Sequence, residues 1–123
     1  MSRILIIDDD DSIRESLDMY LTEEGHEVEI ADKGYVGISK FIDVQPEIVI
    51  LDVRLPDMDG FAVYDELMKY DDQAKVIMIT AFHDEDVVQK AFMKGVFKFV
   101  KKPIDMRVLD RSLAQAIEQG SAR

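Results

Sequence analysis

The sequence predicts an α/β fold, a (βα)5 doubly wound three-layer sandwich around a parallel five-stranded sheet. Three observations lead there. Short apolar runs alternate along the whole chain with segments of helical apolar spacing, the pattern of repeated βα units. Two of the runs, Ile48–Leu51 and Val76–Ile79, are apolar at every residue, as in parallel strands buried on both faces. A chain of 123 residues makes one domain that can bury a full core without staples. Right-handed crossovers restrict the topology. The expected strand order is 2-1-3-4-5, one of the common doubly wound orders, with its switch point between strands one and three.

The elements follow in order. Arg3–Ile7 reads as strand one. Ser12 and Glu15 form a capping box for helix one, which carries Ile13, Leu17 and Leu21 on one stripe and stops at Gly25. Glu27–Ala31 alternates Val28 and Ile30 with charge, as an edge strand does. Helix two presents Val36, Ile38, Phe41 and Ile42 and ends before Pro46. Strand three is Ile48–Leu51. Helix three spans Gly60–Lys69, capped by Asp59, with Phe61, Tyr64, Leu67 and Met68 inward. Strand four is Lys75–Thr80, helix four Glu85–Lys94 closed by Gly95, and strand five Val96–Val100. Helix five spans Met106–Glu118, with Leu109, Leu113, Ala116 and Ile117 facing in. Residues 1–119 are expected to form the domain and 120–123 a tail or the start of a linker. Met58, Met68, Met78 and Met93 read as core or loop filler.

The net charge of -11 argues against direct contact with nucleic acid, which needs a basic footprint, and against an anionic membrane surface. It favours basic partners and divalent cations, although solubility accounts for most of it. With no cysteine there are no disulfides, thiolate ligands or thiol catalysis, in keeping with a reducing compartment. The opening MSRILII is too short an apolar stretch for a signal peptide or a span, so the expected location is cytoplasmic.

Chemistry gathers at the carboxyl ends of the strands, where open α/β sheets bind ligands. Strand one ends in Asp8 and Asp9, strand three in Asp52, strand four in Thr80, and strand five in Lys102 followed by Pro103. Clustered carboxylates repel one another unless a cation or a proton intervenes, and Mg²⁺ suits a few carboxylates with several waters. Asp10 and Asp11 are better explained by the dipole of helix one. Asp52 leads into VRLPDMDG, a loop punctuated by Pro56 and Gly60, and an Asp carboxylate can attack phosphorus. The Thr80 hydroxyl and the Lys102 ammonium could each hold a phosphoryl oxygen. His26 and His83 are isolated and receive no role.

The segments IIDDD, LDVRLPDMDG, ITA and KKP, in this order and spacing, resemble the receiver domain of two-component response regulators, over about Ile4 to Ile117. The resemblance implies the flavodoxin-like fold and a set of roles. Asp52 would be the phosphoacceptor, taking a phosphoryl group from a sensor histidine kinase or a histidine phosphotransfer protein. Asp9, Asp52 and the backbone carbonyl of Arg54 would ligate Mg²⁺, or Mn²⁺ in its place, with Asp8 acting largely through a metal-bound water. Thr80 and Lys102 would hold the phosphoryl oxygens, and the Lys102–Pro103 bond would be cis. Phe99 matches the aromatic switch position. It would turn inward as Thr80 is drawn to the phosphate, changing the face made by helix four, strand five and helix five. Arg54 and Phe82 would flank the path of attacking water and tune the phosphate lifetime.

That face carries Lys90, Lys94, Lys98, Arg107 and Arg111 among Asp86, Asp105 and Asp110, a mixed charge suited to a homodimer or an output domain. A haloacid-dehalogenase-like phosphatase would use Asp8 with Asp10 plus a Thr and a Lys. It would lack an acidic pair after Lys102 and leave Asp52 unexplained. A flavodoxin-like flavin carrier would need a phosphate loop where this chain has four consecutive aspartates. A binding module without phosphorylation stays open on fold grounds, against the full acceptor set.

Overall fold

The structure, a computed structural model, describes residues 2–81 and 85–120. The elements alternate: β1 (Arg3–Ile7), α1 (Asp11–Glu23), β2 (Glu27–Ala31), α2 (Gly34–Val44), β3 (Ile48–Asp52), α3 (Gly60–Tyr70), β4 (Lys75–Thr80), α4 (Glu85–Lys94), β5 (Lys98–Lys101) and α5 (Met106–Gly120). All pairings are parallel, and the sheet order is β2-β1-β3-β4-β5, as the alternation predicts.

Side-chain alternation along each strand feeds two cores, one on each face of the sheet. Leu5, Ile7, Val49, Leu51, Val76 and Met78 pack with Phe41 of α2, with Phe61, Tyr64 and Leu67 of α3, and with Ala91 of α4. Ile4, Ile6, Ile48, Ile50, Ile77 and Ile79 pack on the other side with Leu17 and Leu21 of α1 and Leu109, Leu113 and Ala116 of α5. The central strand β3 is buried at every residue, whereas β2 is buried only at Ala31, the difference between the middle and the edge of a sheet. Across the second core the Tyr20 hydroxyl of α1 donates to the Asp110 carboxylate of α5 at 2.7 Å. Gly25 and Gly95 take positive φ, the backbone that ends α1 and α4.

Several local expectations change. The capping box of Ser12 and Glu15 gives way to Asp10, whose carboxylate accepts from Ile13 N at 3.2 Å, so the helix begins one residue before Ser12. An acid two residues ahead of a Ser can cap equally well. On α2, Val36 and Ile42 are exposed, and the packed stripe runs through Gly34, Gly37 and Phe41 because the helix lies close to Ile7 of β1 at Gly37 and to Met58 and Val63 at Gly34. Met93 is 75% exposed rather than core or loop filler, and Ile117 sits at the rim. β5 starts at Lys98 rather than Val96, because the Val96 amide still closes α4 by donating to Ala91 O. α5 continues through Gly120. His26 is half-buried, with Nδ1 accepting from Ser2 N at 3.1 Å.

These packing differences set the cost of truncation. Ile50→Ala should lower stability in urea unfolding by about 2–5 kcal/mol, since Ile50 is fully buried. Ile42→Ala on α2 should cost about 0.5 kcal/mol or less. Equal losses would mean that α2 is packed by Ile42 after all.

Candidate functional site

Strand register brings the site together. Ile7 pairs with Leu51, so Asp8 and Asp52 emerge side by side at the switch point between β1 and β3. Thr80 ends β4 opposite Lys101 of β5, and Lys102 N donates to Thr80 O at 2.9 Å, one step past the strand. The peptide from Lys102 to Pro103 is cis.

Asp8 is fully buried. Its amide donates to Ala31 O at 3.1 Å, and its Oδ1 accepts from Asp10 N at 2.8 Å, a turn that folds the acidic run back on itself. Arg14, one turn into α1, donates from Nη1 to the Asp8 carbonyl at 2.8 Å and pairs with Asp11. Asp52, also buried, accepts at Oδ1 from Arg54 N at 3.1 Å and at Oδ2 from Lys102 Nζ at 2.9 Å. The same ammonium stands 3.0 Å from Asp8 Oδ2 as an ion-pair contact without hydrogen-bond geometry. Among the described residues, Asp8 Oδ2 is the buried side-chain oxygen left without a hydrogen bond.

One ammonium thus serves two buried carboxylates, and the electrostatics show the strain. Burial, with the Asp52 charge adding to it, raises the Asp8 pKa from 3.8 to about 6 against the opposing pull of the Asp10 amide and Lys102. Burial alone would lower Lys102, but its hydrogen bond to Asp52 and its charge contacts with Asp8 and Asp52 outweigh it, and its pKa is raised. Oxygens of Asp8, Asp9 and Asp52 lie within 4.8 Å of one another, with Asp9 exposed. Asp9 and Asp52 border a cleft of about 360 Å³ lined also by Asp10, Arg54, Ala81 and Lys102, with Asp8 buried behind it. An all-oxygen donor set, an orphaned carboxylate oxygen and excess negative charge fit a hard divalent cation such as Mg²⁺.

The residues singled out in the sequence are placed as follows. Asp8, Asp9, Asp52 and Lys102 share the cleft or its wall, and Arg54 lines it. Thr80 is fully buried at the end of β4 behind it, with Ala81 at the surface of the cleft. Phe99 is half-buried on β5, pairs in register with Met78 and packs against the α2–α3–α4 core. Phe82 lies outside the described residues, as does His83. Asp59 caps α3, its carboxylate accepting from Phe61 N at 2.7 Å. Asp10 belongs both to the cap of α1 and to the cleft. Two residues escaped the sequence reading. Arg14 had a signal, a cation one turn into the helix behind an acidic run. Asp57 had none, because the amides it binds, Gly34 N and Tyr35 N, lie 23 and 22 residues away.

Comparison with known proteins agrees with this geometry. Residues 4–114 match the family of the response regulator receiver domain. The regulatory protein AtoC of Escherichia coli is 31% identical over 123 residues, which is all of this chain and 27% of AtoC. The chemotaxis protein CheY of Treponema pallidum is 34% identical, with 89% of this chain and 78% of that protein aligned. A CheY-like receiver domain protein of Methanospirillum hungatei superposes with a TM-score of 0.92 at 30% identity, covering 100% of this chain and 99% of that one. The chain spans about a quarter of AtoC and about half of the Streptomyces coelicolor regulator AfsQ1, 53% of whose length it covers. A family match over residues 4–114 and an acidic cluster, two of its three carboxylates buried, at the switch point of a 2-1-3-4-5 sheet lead to one assignment: the chain belongs to the family of response regulator receiver domains, signalling modules of two-component systems.

Proposed function

We propose that Asp52 is the phosphoacceptor of this receiver, and that a sensor histidine kinase or a histidine phosphotransfer protein supplies the phosphoryl group. The observation that carries this reading is the hydrogen bond from Lys102 Nζ to Asp52 Oδ2 at 2.9 Å beside the orphaned Asp8 Oδ2. A carboxylate oxygen of Asp52 attacks phosphorus of the phosphohistidine, the P–N bond breaks, and its electron pair returns to the imidazole, which takes a proton. Lys102 orients the Asp52 carboxylate before transfer and neutralises a phosphoryl oxygen after it. Asp8, Asp9, Asp52 and the Arg54 carbonyl would hold Mg²⁺, whose charge offsets the acidic cluster and the incoming phosphoryl oxygens. In support, the CheY of Borrelia burgdorferi, 30% identical with a TM-score of 0.87, was crystallised in a CheX–CheY–BeF3–Mg complex.

The output follows as a population shift. The Thr80 hydroxyl is drawn to the phosphoryl group, and Phe99 turns into the space it leaves, which alters the α4–β5–α5 face for a homodimer or an output domain. Phe99 has no hydroxyl, so its inward rotamer buries no polar group. Arg54 and Phe82 flank the path of attacking water and set the lifetime of the aspartyl phosphate. The domain is a stoichiometric acceptor that self-phosphorylates with Mg²⁺ and slowly dephosphorylates, and it works in the cytoplasm. In keeping with this, no helix among the described residues is long and apolar enough to cross a membrane.

Two outcomes are expected. Intact mass after treatment with acetyl phosphate and Mg²⁺ should show a single phosphoryl adduct that is absent without Mg²⁺ and absent from Asp52→Ala. The same adduct on the variant would place the acceptor elsewhere. The second concerns Asp8, whose pKa rises from 3.8 in the unfolded chain to about 6 in the fold. The native state binds that proton more tightly, so stability falls as pH rises through this window, and the cost is complete above about pH 6. Asp8→Asn should therefore raise stability at pH 8 without Mg²⁺ by on the order of 3 kcal/mol and converge with wild type below about pH 4. It should also blunt the stabilisation that Mg²⁺ gives the wild type. Identical urea midpoints at pH 8 would show that the buried charge carries no such cost.

A further inference from the structure

Helix α2 begins without a cap of its own. Lys33, at its N-cap position, makes no side-chain hydrogen bond, and the first turn holds no acid. The leading amides of a helix need outside acceptors. Here they come from the loop that follows the proposed phosphoacceptor. Asp57 Oδ1 accepts from Gly34 N at 2.8 Å, and Oδ2 accepts from Tyr35 N at 2.9 Å. Asp57 is exposed, and the little desolvation it suffers would raise its pKa, but the two amides and nearby Lys33 outweigh it and hold it below the ordinary value. The next residue fixes the distance. Met58 fills the space beside Gly34 so closely that a Cβ there would lie 2.4 Å from Met58 Cγ.

The other end of this loop is tied to the site itself. Arg54 N donates to Asp52 Oδ1, Gly60 N donates to Val53 O at 2.7 Å, and Arg54 bridges to Asp59 across the loop. Gly60 lies so near the end of β3 that a Cβ would meet Asp52 O at 2.4 Å. A closed loop with one end on Asp52 and its tip on α2 cannot shift at one attachment without loading the other.

We propose that Asp57 is a positioning residue of the acceptor site. It fastens the loop of residues 53–59 to the first turn of α2, so that the Arg54 backbone stands where a cation needs it, and cation binding and the α2 N-terminus become coupled. This rests on the reading above in which Asp52 and the Arg54 carbonyl hold Mg²⁺. Coupling between two sites is reciprocal. Mg²⁺ must then tighten the amides of Gly34 and Tyr35, and removing the Asp57 carboxylate must weaken Mg²⁺.

The test uses the whole chain as wild type, Asp57→Ala and Asp57→Asn. Mg²⁺ affinity is measured by calorimetry, and amide exchange at Gly34 and Tyr35 by NMR, well below each unfolding midpoint. Mg²⁺ should slow both amides in wild type by about fivefold, the lower end of ordinary coupling. Asp57→Ala should weaken Mg²⁺ by about fivefold or more and abolish the slowing. Asp57→Asn, which keeps one acceptor oxygen, should restore most of the affinity. Wild-type Mg²⁺ affinity in Asp57→Ala, together with fast exchange at Gly34 and Tyr35, would reduce Asp57 to a helix cap and overturn this inference alone. Absence of Mg²⁺ binding by wild type would overturn the acceptor reading and this inference with it. Should Asp57→Ala not fold, Gly34→Ala, which drives a methyl into Met58, must weaken Mg²⁺ in the same direction or the inference falls.

Discussion

The structure around the switch point turns on a single shared cation. Lys102 Nζ lies 2.9 Å from Asp52 Oδ2 and 3.0 Å from Asp8 Oδ2, and both carboxylates are buried. Two buried anions against one cation leave a net negative charge where desolvation is most costly. A stable protein would ordinarily remove such a mismatch by giving up one acid. Here the main chain enforces it, since the β1–β3 register that fills both cores with Ile and Leu also sets Asp8 beside Asp52. The fold cannot relieve the repulsion by sliding one strand. A one-residue slip would turn every core side chain to the wrong face.

The loops take up what the strands cannot. Asp8 turns back on the Asp10 amide, Arg14 clamps the Asp8 carbonyl, and Arg54 N satisfies the second oxygen of Asp52. Each bond goes to a carboxylate oxygen or to the carbonyl directly above it, which leaves the shortage concentrated on Asp8 Oδ2. A site built this way is short of positive charge in the resting state. On the proposed reading, each carboxylate would gain from a divalent cation, and Lys102 would change partners from carboxylate to phosphoryl oxygen. The same imbalance that costs stability would, on that reading, prepare the site for a doubly charged ligand and a transferred anion.

Which parts of this were legible in the sequence follows from the range of the interactions. The five strands, the edge character of β2 and the cap at Asp59 were readable, because they depend on periodicity of two or on contacts within a few residues. So were the acids and Lys102, because strand ends converge in an open sheet whatever the loops do. The cap of α1 moved from Ser12 to Asp10 because neighbouring capping residues compete, and the intended turn of the acidic run chooses between them. Val36 and Ile42 were misplaced because Gly34 and Gly37 let α2 lie on its glycine face, which a hydrophobic stripe does not record. Asp57 was invisible because its partners are in another element, and no local pattern marks an acid that caps at a distance.

Unequal anchoring of the helices bears on how the proposed charge at Asp52 would reach the surface. α3 buries Gly60, Phe61, Val63, Tyr64 and Leu67, whereas α4 buries Ala91 alone and exposes Phe92 and Met93 to 81% and 75%. Besides Ala91 and the partly buried Val87, α4 is held by polar and charged contacts with α3: Lys94 to Asp65 at 2.8 Å, the Tyr64 hydroxyl to Lys94 O at 3.2 Å, and Lys90 over the Phe61 ring at 4.8 Å. The exposed Lys94–Asp65 pair contributes little, and with a single fully buried side chain α4 belongs to the low-stability end of the molecule. β5 beside it is four residues long and lies at the sheet edge. A few kcal/mol of new hydrogen bonding at Thr80 and Lys102 is comparable with what fixes this side, and small beside what fixes β3 and α3. The phosphoryl group would therefore do its reshaping on the α4–β5 side, while the buried central strands keep Asp8 and Asp52 in register.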